Sequence, residues 1–86
     1  MYRVKMQRRA RRSLERLPKK DHDSVLGAVK DLANNPRPRD VAKIKSAEGM
    51  WRVRQGDYRI VYDIDDNQKI ITVLDIDHRK QVYRWL

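Results

Sequence analysis

The sequence predicts an α+β fold: a short N-terminal strand, a helical hairpin, and then a three-stranded antiparallel meander, with the helices packed on one face of the sheet. Three observations predict it. Residues 51–78 form strand-length segments, alternating or continuously apolar, separated by turn signals. Residues 7–33 carry apolar side chains at helical spacing, interrupted by Pro18. A chain of 86 residues has room for one core, so residues 1–86 are expected to make a single domain.

Tyr2-Arg3-Val4-Lys5-Met6 alternates and reads as the opening strand. From Gln7 to Leu17, Ala10, Leu14 and Leu17 lie along one helical stripe, with Arg8, Arg9, Arg11, Arg12 and Arg16 over the remaining surface. Pro18 ends this helix, because it lacks an N–H and disfavours helical backbone before it. Asp21 or Asp23 is placed to cap a second helix running through Val25, Ala28, Val29, Leu32 and Ala33. Asn34-Asn35-Pro36-Arg37-Pro38 stops it, and a Lys19-Lys20 turn is expected to join the pair. Arg39 to Met50 reads as a loop anchored by Val41 and Ile44.

Trp51 to Arg54 alternates apolar and basic, and Gln55-Gly56-Asp57 supplies a tight turn. Tyr58, Ile60, Tyr62 and Ile64 then share one side of a strand, with Arg59, Val61 and Asp63 on the other. After the turn signal Asp65-Asp66-Asn67, Lys69 to Asp77 is apolar on both sides: Ile70, Thr72, Leu74 and Ile76 against Ile71 and Val73. That pattern predicts a central strand covered on both faces.

The net charge of +9 and pI near 10.3 favour a nucleic acid, an anionic membrane or an acidic protein as partner. The basic helix has too few bulky apolar residues to dock on a membrane, so none is expected as a partner. No apolar run reaches a membrane-spanning length and nothing resembles a signal peptide, which makes the cytoplasm the expected location. The absence of cysteine excludes disulfides, thiolate nucleophiles and cysteine zinc sites. Asp63, Asp65, Asp66, Asp75 and Asp77 invite a metal reading, but no fixed ligand spacing supports one. No metal or other cofactor is therefore expected.

Arg52 and Arg54, two apart on a strand, project from one face, and Arg59 reaches it across the Gly56 turn. Such a trio suits a phosphate clamp, because guanidinium offers a planar fork to phosphate oxygens. Pairing with Asp63, Asp75 or Asp77 is the alternative. His78 stands at the end of the last strand beside Arg79 and Lys80, five residues before Tyr83. Its imidazole suits proton transfer near neutrality, and Tyr83 could stack on a base or orient a phosphate. His22, in a helix-start region, reads as structural. The arginines of the first helix read as a solvated face that would raise affinity for a polyanion without carrying chemistry.

Trp51-Arg52-Val53-Arg54, Gly56-Asp57-Tyr58-Arg59-Ile60-Val61-Tyr62 and His78-Arg79-Lys80-Gln81-Val82-Tyr83 together resemble the RelE/ParE superfamily of bacterial and archaeal toxins, most closely its RelE-type branch. The resemblance implies a toxin of a type II toxin–antitoxin pair, a ribosome-dependent endoribonuclease that cuts mRNA in the A site. The implied chemistry is metal-independent: the 2′-OH attacks the adjacent phosphate, giving a 2′,3′-cyclic phosphate and a 5′-OH. The implied partners are the ribosome with its mRNA and a cognate acidic antitoxin that wraps the toxin. Some family members carry lysines where this chain has Arg52 and Arg54, and arginine, with a pKa above ~12, is a poor base. The roles expected are thus phosphate binding by Arg52, Arg54 and Lys80, with Arg59 holding phosphate within a catalytic group. In that group His78 transfers the proton, Arg79 stabilises transition-state charge and Tyr83 orients the nucleotide. Two alternatives stay open: a ParE-type inhibitor of DNA gyrase with the same fold, and a non-catalytic module that binds RNA or antitoxin.

Overall fold

The computed structural model describes residues 1–44 and 49–78. The elements run β1 (Arg3–Met6), α1 (Arg8–Glu15), α2 (Lys19–Asp31), β2 (Ala42–Lys43), β3 (Met50–Gln55), β4 (Tyr58–Asp65) and β5 (Ile70–His78). They build a five-stranded sheet in the order β1-β5-β4-β3-β2. β3, β4 and β5 form the expected antiparallel meander, and β1 adds to β5 in parallel. A parallel neighbour needs a long crossover, and the two helices supply it.

Both helices lie on one face of this sheet. Ala10 and Leu14 of α1 and Val25 and Val29 of α2, with Leu32 just beyond it, are buried against Val53, Ile60, Tyr62, Ile71, Val73 and Ile76. The i, i+4 spacing of Ala10/Leu14 and Val25/Val29 puts each pair on one stripe, so each helix covers the sheet with a narrow edge. The hairpin differs from expectation at its joint. α2 begins at Lys19, directly after Pro18, and neither Asp21 nor Asp23 caps it. Pro18 stands one residue before the first helical position, where its missing N–H costs nothing. Asp21 falls in the first turn of α2 and accepts a hydrogen bond from the Tyr58 hydroxyl at 3.1 Å.

Within the stretch expected to be a loop, Ala42–Lys43 pairs with Arg52 and Trp51 as a two-residue edge strand. Ile44 is buried there with Val61, and Met50 and Leu74 pack against them in a small second core on the face away from the helices. The Ile44 N–H donates to the Met50 carbonyl at 2.9 Å, fixing where β2 and β3 separate.

The chain from Asn34 to Pro38 is pinned beneath the sheet by three contacts. The fully buried Tyr62 hydroxyl donates to the Pro36 carbonyl at 2.7 Å, and burial pushes that phenol's pKa far up, so it remains a donor. The Arg37 guanidinium lies 4.9 Å from the centroid of the Trp51 ring, a cation–π distance. Arg37 also makes a two-pronged ion pair with Asp66, at 2.9 and 3.3 Å, and Tyr2 donates to the same carboxylate at 2.6 Å. These bonds, Arg37 first and Tyr2 second, hold Asp66 below the usual carboxylate range.

A carboxylate whose pKa is depressed on folding stabilises the fold above its unfolded pKa, ~3.9 for aspartate, and that stabilisation fades as the pH falls through the folded value. Asp66→Asn is therefore expected to lower the urea midpoint at neutral pH, with the gap to wild type closing in acid below that range. Urea titrations of both proteins from pH 7 downward check this; a gap that stays constant across the range would refute it.

One departure from regular strand geometry sets up the functional face. Between Val61 and Tyr62 the β4–β5 register shifts: Tyr62 pairs with Val73, whereas Val61 pairs with Asp75, leaving Leu74 as an extra residue. This is a β-bulge, and it reverses the faces of the residues beyond it. Ile76, expected on the side of Ile70 and Thr72, instead joins Ile71 and Val73 in the main core. Asp75 and Asp77 turn to the face that the helices leave open.

Candidate functional site

Cross-strand pairing arranges that open face as two rows. Arg52, Val61 and Asp75 lie across β3, β4 and β5 in one, and Arg54, Arg59 and Asp77 in the next. Paired side chains on one face stand about 5 Å apart at Cβ, so Arg54 and Arg59 are immediate neighbours. Gly56 makes this possible. With φ of 62°, it opens a two-residue turn in which Asp57 keeps negative φ, the II′ pattern that matches strand twist. Arg52, Arg54 and Arg59 surround an open cavity of about 590 Å³, edged by Asp40, Ala42 and Gly56. Arg54 is exposed, while Arg52 and Arg59 are half-buried, with the Arg59 Nη1 atom shielded from solvent. Like charges placed directly opposite one another destabilise a sheet, and an anion seated between them offsets that cost.

The structure thus brings Arg52, Arg54 and Arg59 together as the sequence predicts. It does not bring His78 to them. Because of the Leu74 bulge, His78 pairs with Tyr58 on the helix side, their rings edge-to-face with centroids 5.9 Å apart and planes at 84°. His78 lines a separate cavity with Tyr58, Asp21, Ser24 and Gln55, on the opposite side of the sheet from the arginines. The Tyr58 phenol there is pushed above its ordinary pKa, first by burial and then by its bond to Asp21. The expectation that an imidazole shares the arginine cleft is corrected: strand alternation alone would have delivered it there, and one inserted residue sends it to the other face. Arg79, Lys80 and Tyr83, the remaining expected site residues, lie outside the described residues.

Two neighbours of the cleft are aspartates that the sequence offers as pairing alternatives for the arginines. Asp77 pairs directly with Arg59, so the pairing alternative holds at least as a juxtaposition. Asp75 is 1% exposed, and its Oδ2 lies 3.7 Å from the Nε of Arg9, which reaches it from α1. The sequence offers both aspartates as partners for the arginines, but an alternating pattern hides a bulge, and nothing local points to Arg9 as the partner of Asp75. Among the described residues, no three histidine, cysteine, aspartate or glutamate side chains converge as metal ligands would, and no helix is long and apolar enough to cross a membrane.

Residues 4–83 match the family described as ParE toxin of type II toxin-antitoxin system, parDE. The chain belongs to the RelE/ParE toxin superfamily. Toxin RelE of Mycobacterium tuberculosis is 36% identical to this toxin over 84 residues, spanning 96% of this chain and 87% of that protein. Toxin RelG of the same organism is 32% identical over 88 residues, spanning 96% of this chain and 97% of its own. Among solved structures, the archaeal RelE–RelB complex from Pyrococcus horikoshii superposes with a TM-score of 0.81 at 31% identity, over 94% of this chain and 98% of that one. The RelBE2 toxin–antitoxin complex of M. tuberculosis gives 0.79 at 33%, over 91% and 98%. The α+β architecture of two helices on a five-stranded mixed sheet is accordingly that of RelE toxin structures.

Proposed function

We propose that this toxin is a ribosome-dependent mRNA endoribonuclease, neutralised by a cognate acidic antitoxin, that cleaves the message in the A site. The observation that carries the reading is the open cavity ringed by Arg52, Arg54 and Arg59. The 2′-OH of RNA is an internal nucleophile, held beside its own phosphate, so the protein need supply only orientation, proton transfer and positive charge. In-line attack forms the bond from O2′ to phosphorus and breaks the bond to O5′, leaving a 2′,3′-cyclic phosphate and a 5′-OH. The charge that grows on the non-bridging oxygens is met by guanidinium N–H groups fixed in place beforehand by the β3–β4 hairpin. Arg79 adds to that charge, Lys80 contacts a flanking phosphate and Tyr83 orients the nucleotide. With its ring on the helix side, His78 acts on the cleft by fixing the end of β5, from which those residues follow. RelB as the partner in the related complexes supports the antitoxin assignment, as does the charge of +9.

A second reading has an observation of its own. His78 faces away from the arginines and Asp77 stands opposite Arg59, which suits a ParE-type toxin that inhibits gyrase and needs no acid–base pair. Brief induction of the toxin followed by mapping of mRNA 5′ ends separates the two. Codon-phased new ends are expected; intact messages accompanied by stalled gyrase–DNA complexes would replace the nuclease reading with the ParE-type one.

A further inference from the structure

We infer that Arg9, held by the buried carboxylate of Asp75, is a further phosphate-binding arginine of the open face, taking a backbone phosphate next to the one in the Arg52–Arg54–Arg59 cleft. The inference rests on the reading of that cleft as a site for RNA. Asp75 is the one charged residue buried among the described residues. A carboxylate taken out of water is costly unless a cation answers it, so its position is set by the group it holds. The bulge at Leu74 turns Asp75 onto the open face, in the same row as Arg52, with Val61 between them.

Arg9 arrives from a different layer. β1 pairs with β5 only as far as Val73, where the Gln7 N–H donates to the Val73 carbonyl at 2.9 Å and α1 begins. From the first turn of α1 the Arg9 side chain passes over that edge of β5 to reach Asp75, yet it is still 52% exposed. It lines a cavity with Gln7, Met50 and Leu74 on the open face. It also lines a cavity of about 380 Å³ on α1 with Arg8, Arg12, Ser13 and Arg16. Arg9 therefore stands between the arginine surface of the helix and the open face, in line with the row that ends at Arg52. α1 has no acidic residue in its first turn, and arginines there oppose the positive end of the helix dipole. A bound polyanion offsets that self-repulsion; the isolated fold does not.

The test is binding of a short fluorescein-labelled 2′-deoxy oligonucleotide, followed by anisotropy over a range of salt concentrations. Arg9→Ala is expected to weaken binding about 10-fold and to flatten the slope of log K against log salt by ~0.7, the share of one phosphate on a single strand. Asp75→Asn is expected to reproduce both changes, and the double variant to add nothing further. Wild-type affinity and slope in Arg9→Ala would overturn the inference, as would a wild-type protein that fails to bind. So would an Asp75→Asn that only lowers the melting temperature and keeps the wild-type slope; if that variant does not fold, Arg9→Ala decides. The oligonucleotide has no 2′-OH and cannot be cut by this route. A toxin that binds it through Arg9 but leaves mRNA intact sinks the nuclease reading alone. One that cuts mRNA while Arg9→Ala binds normally sinks this inference alone.

Discussion

Arg59→Ala is expected to reduce mRNA cleavage on programmed ribosomes by about 100- to 1,000-fold, the usual loss when one fixed donor to a developing oxyanion is removed. Arg59 is central to the open face: it is flanked by Arg54 on β3 and by Asp77 on β5, and part of its guanidinium is shielded from water. A donor in such a place is worth more than one on an exposed rim, because solvent screens it less. Arg59→Lys keeps a charge but loses the planar fork, so it should recover only part of the rate. Single-turnover cleavage, with circular dichroism to establish that each variant is folded, provides the measurement. Undiminished cleavage by a folded Arg59→Ala protein would remove the arginine cleft from the mechanism.

The largest effect on stability is expected at Tyr62. Its ring is fully buried at the centre of the main core, and its hydroxyl holds the Pro36 carbonyl. Tyr62→Ala should cost about 3–5 kcal/mol, the range for emptying an aromatic site, which is much of what holds a small domain together. Tyr62→Phe keeps the ring and strands the carbonyl, for about 1–2 kcal/mol. For a domain of this size each kcal/mol lowers the melting temperature by about 4–8 °C. Calorimetry of the two variants separates the ring from the hydroxyl. Equal losses in both would mean that the hydrogen bond to Pro36, rather than packing, carries the site.

The order of elements and the placement of the arginines were legible because they depend on local chemistry. Pro18 had to end one helix, Gly56 had to make a turn, and period-two alternation had to put Arg52, Arg54 and Arg59 on one face. The apolar sides of β4 followed for the same reason. What was not legible depends on pairing between distant segments. The two-residue β2 exists because Ile44 finds Val61 on the far side of the sheet, and no local pattern announces that contact. The bulge at Leu74 is the more consequential case. In a run as uniformly apolar as Ile70 to Ile76, an inserted residue leaves no trace in the periodicity, so His78, Asp75 and Asp77 were all assigned without knowledge of it. In the sequence Arg9 is one cation among many on a solvated helix, since nothing in its own neighbourhood links it to a carboxylate in the last strand.

The single additional residue at Leu74 works as a parity switch for everything downstream. Whether a later side chain is delivered above or below the sheet depends on an odd or even count from that point: pairing Leu74 opposite Val61, with no residue left over, would invert the whole remaining order, whereas deleting Leu74 would leave the later residues with their present partners. In a β5 paired without the bulge, His78 would stand on the face of the guanidiniums and Asp77 on that of the helices, with β1 to β4 untouched. The unpaired residue thus keeps a carboxylate, and not an imidazole, beside the guanidiniums, a choice of chemistry made without any change in the site's other strands.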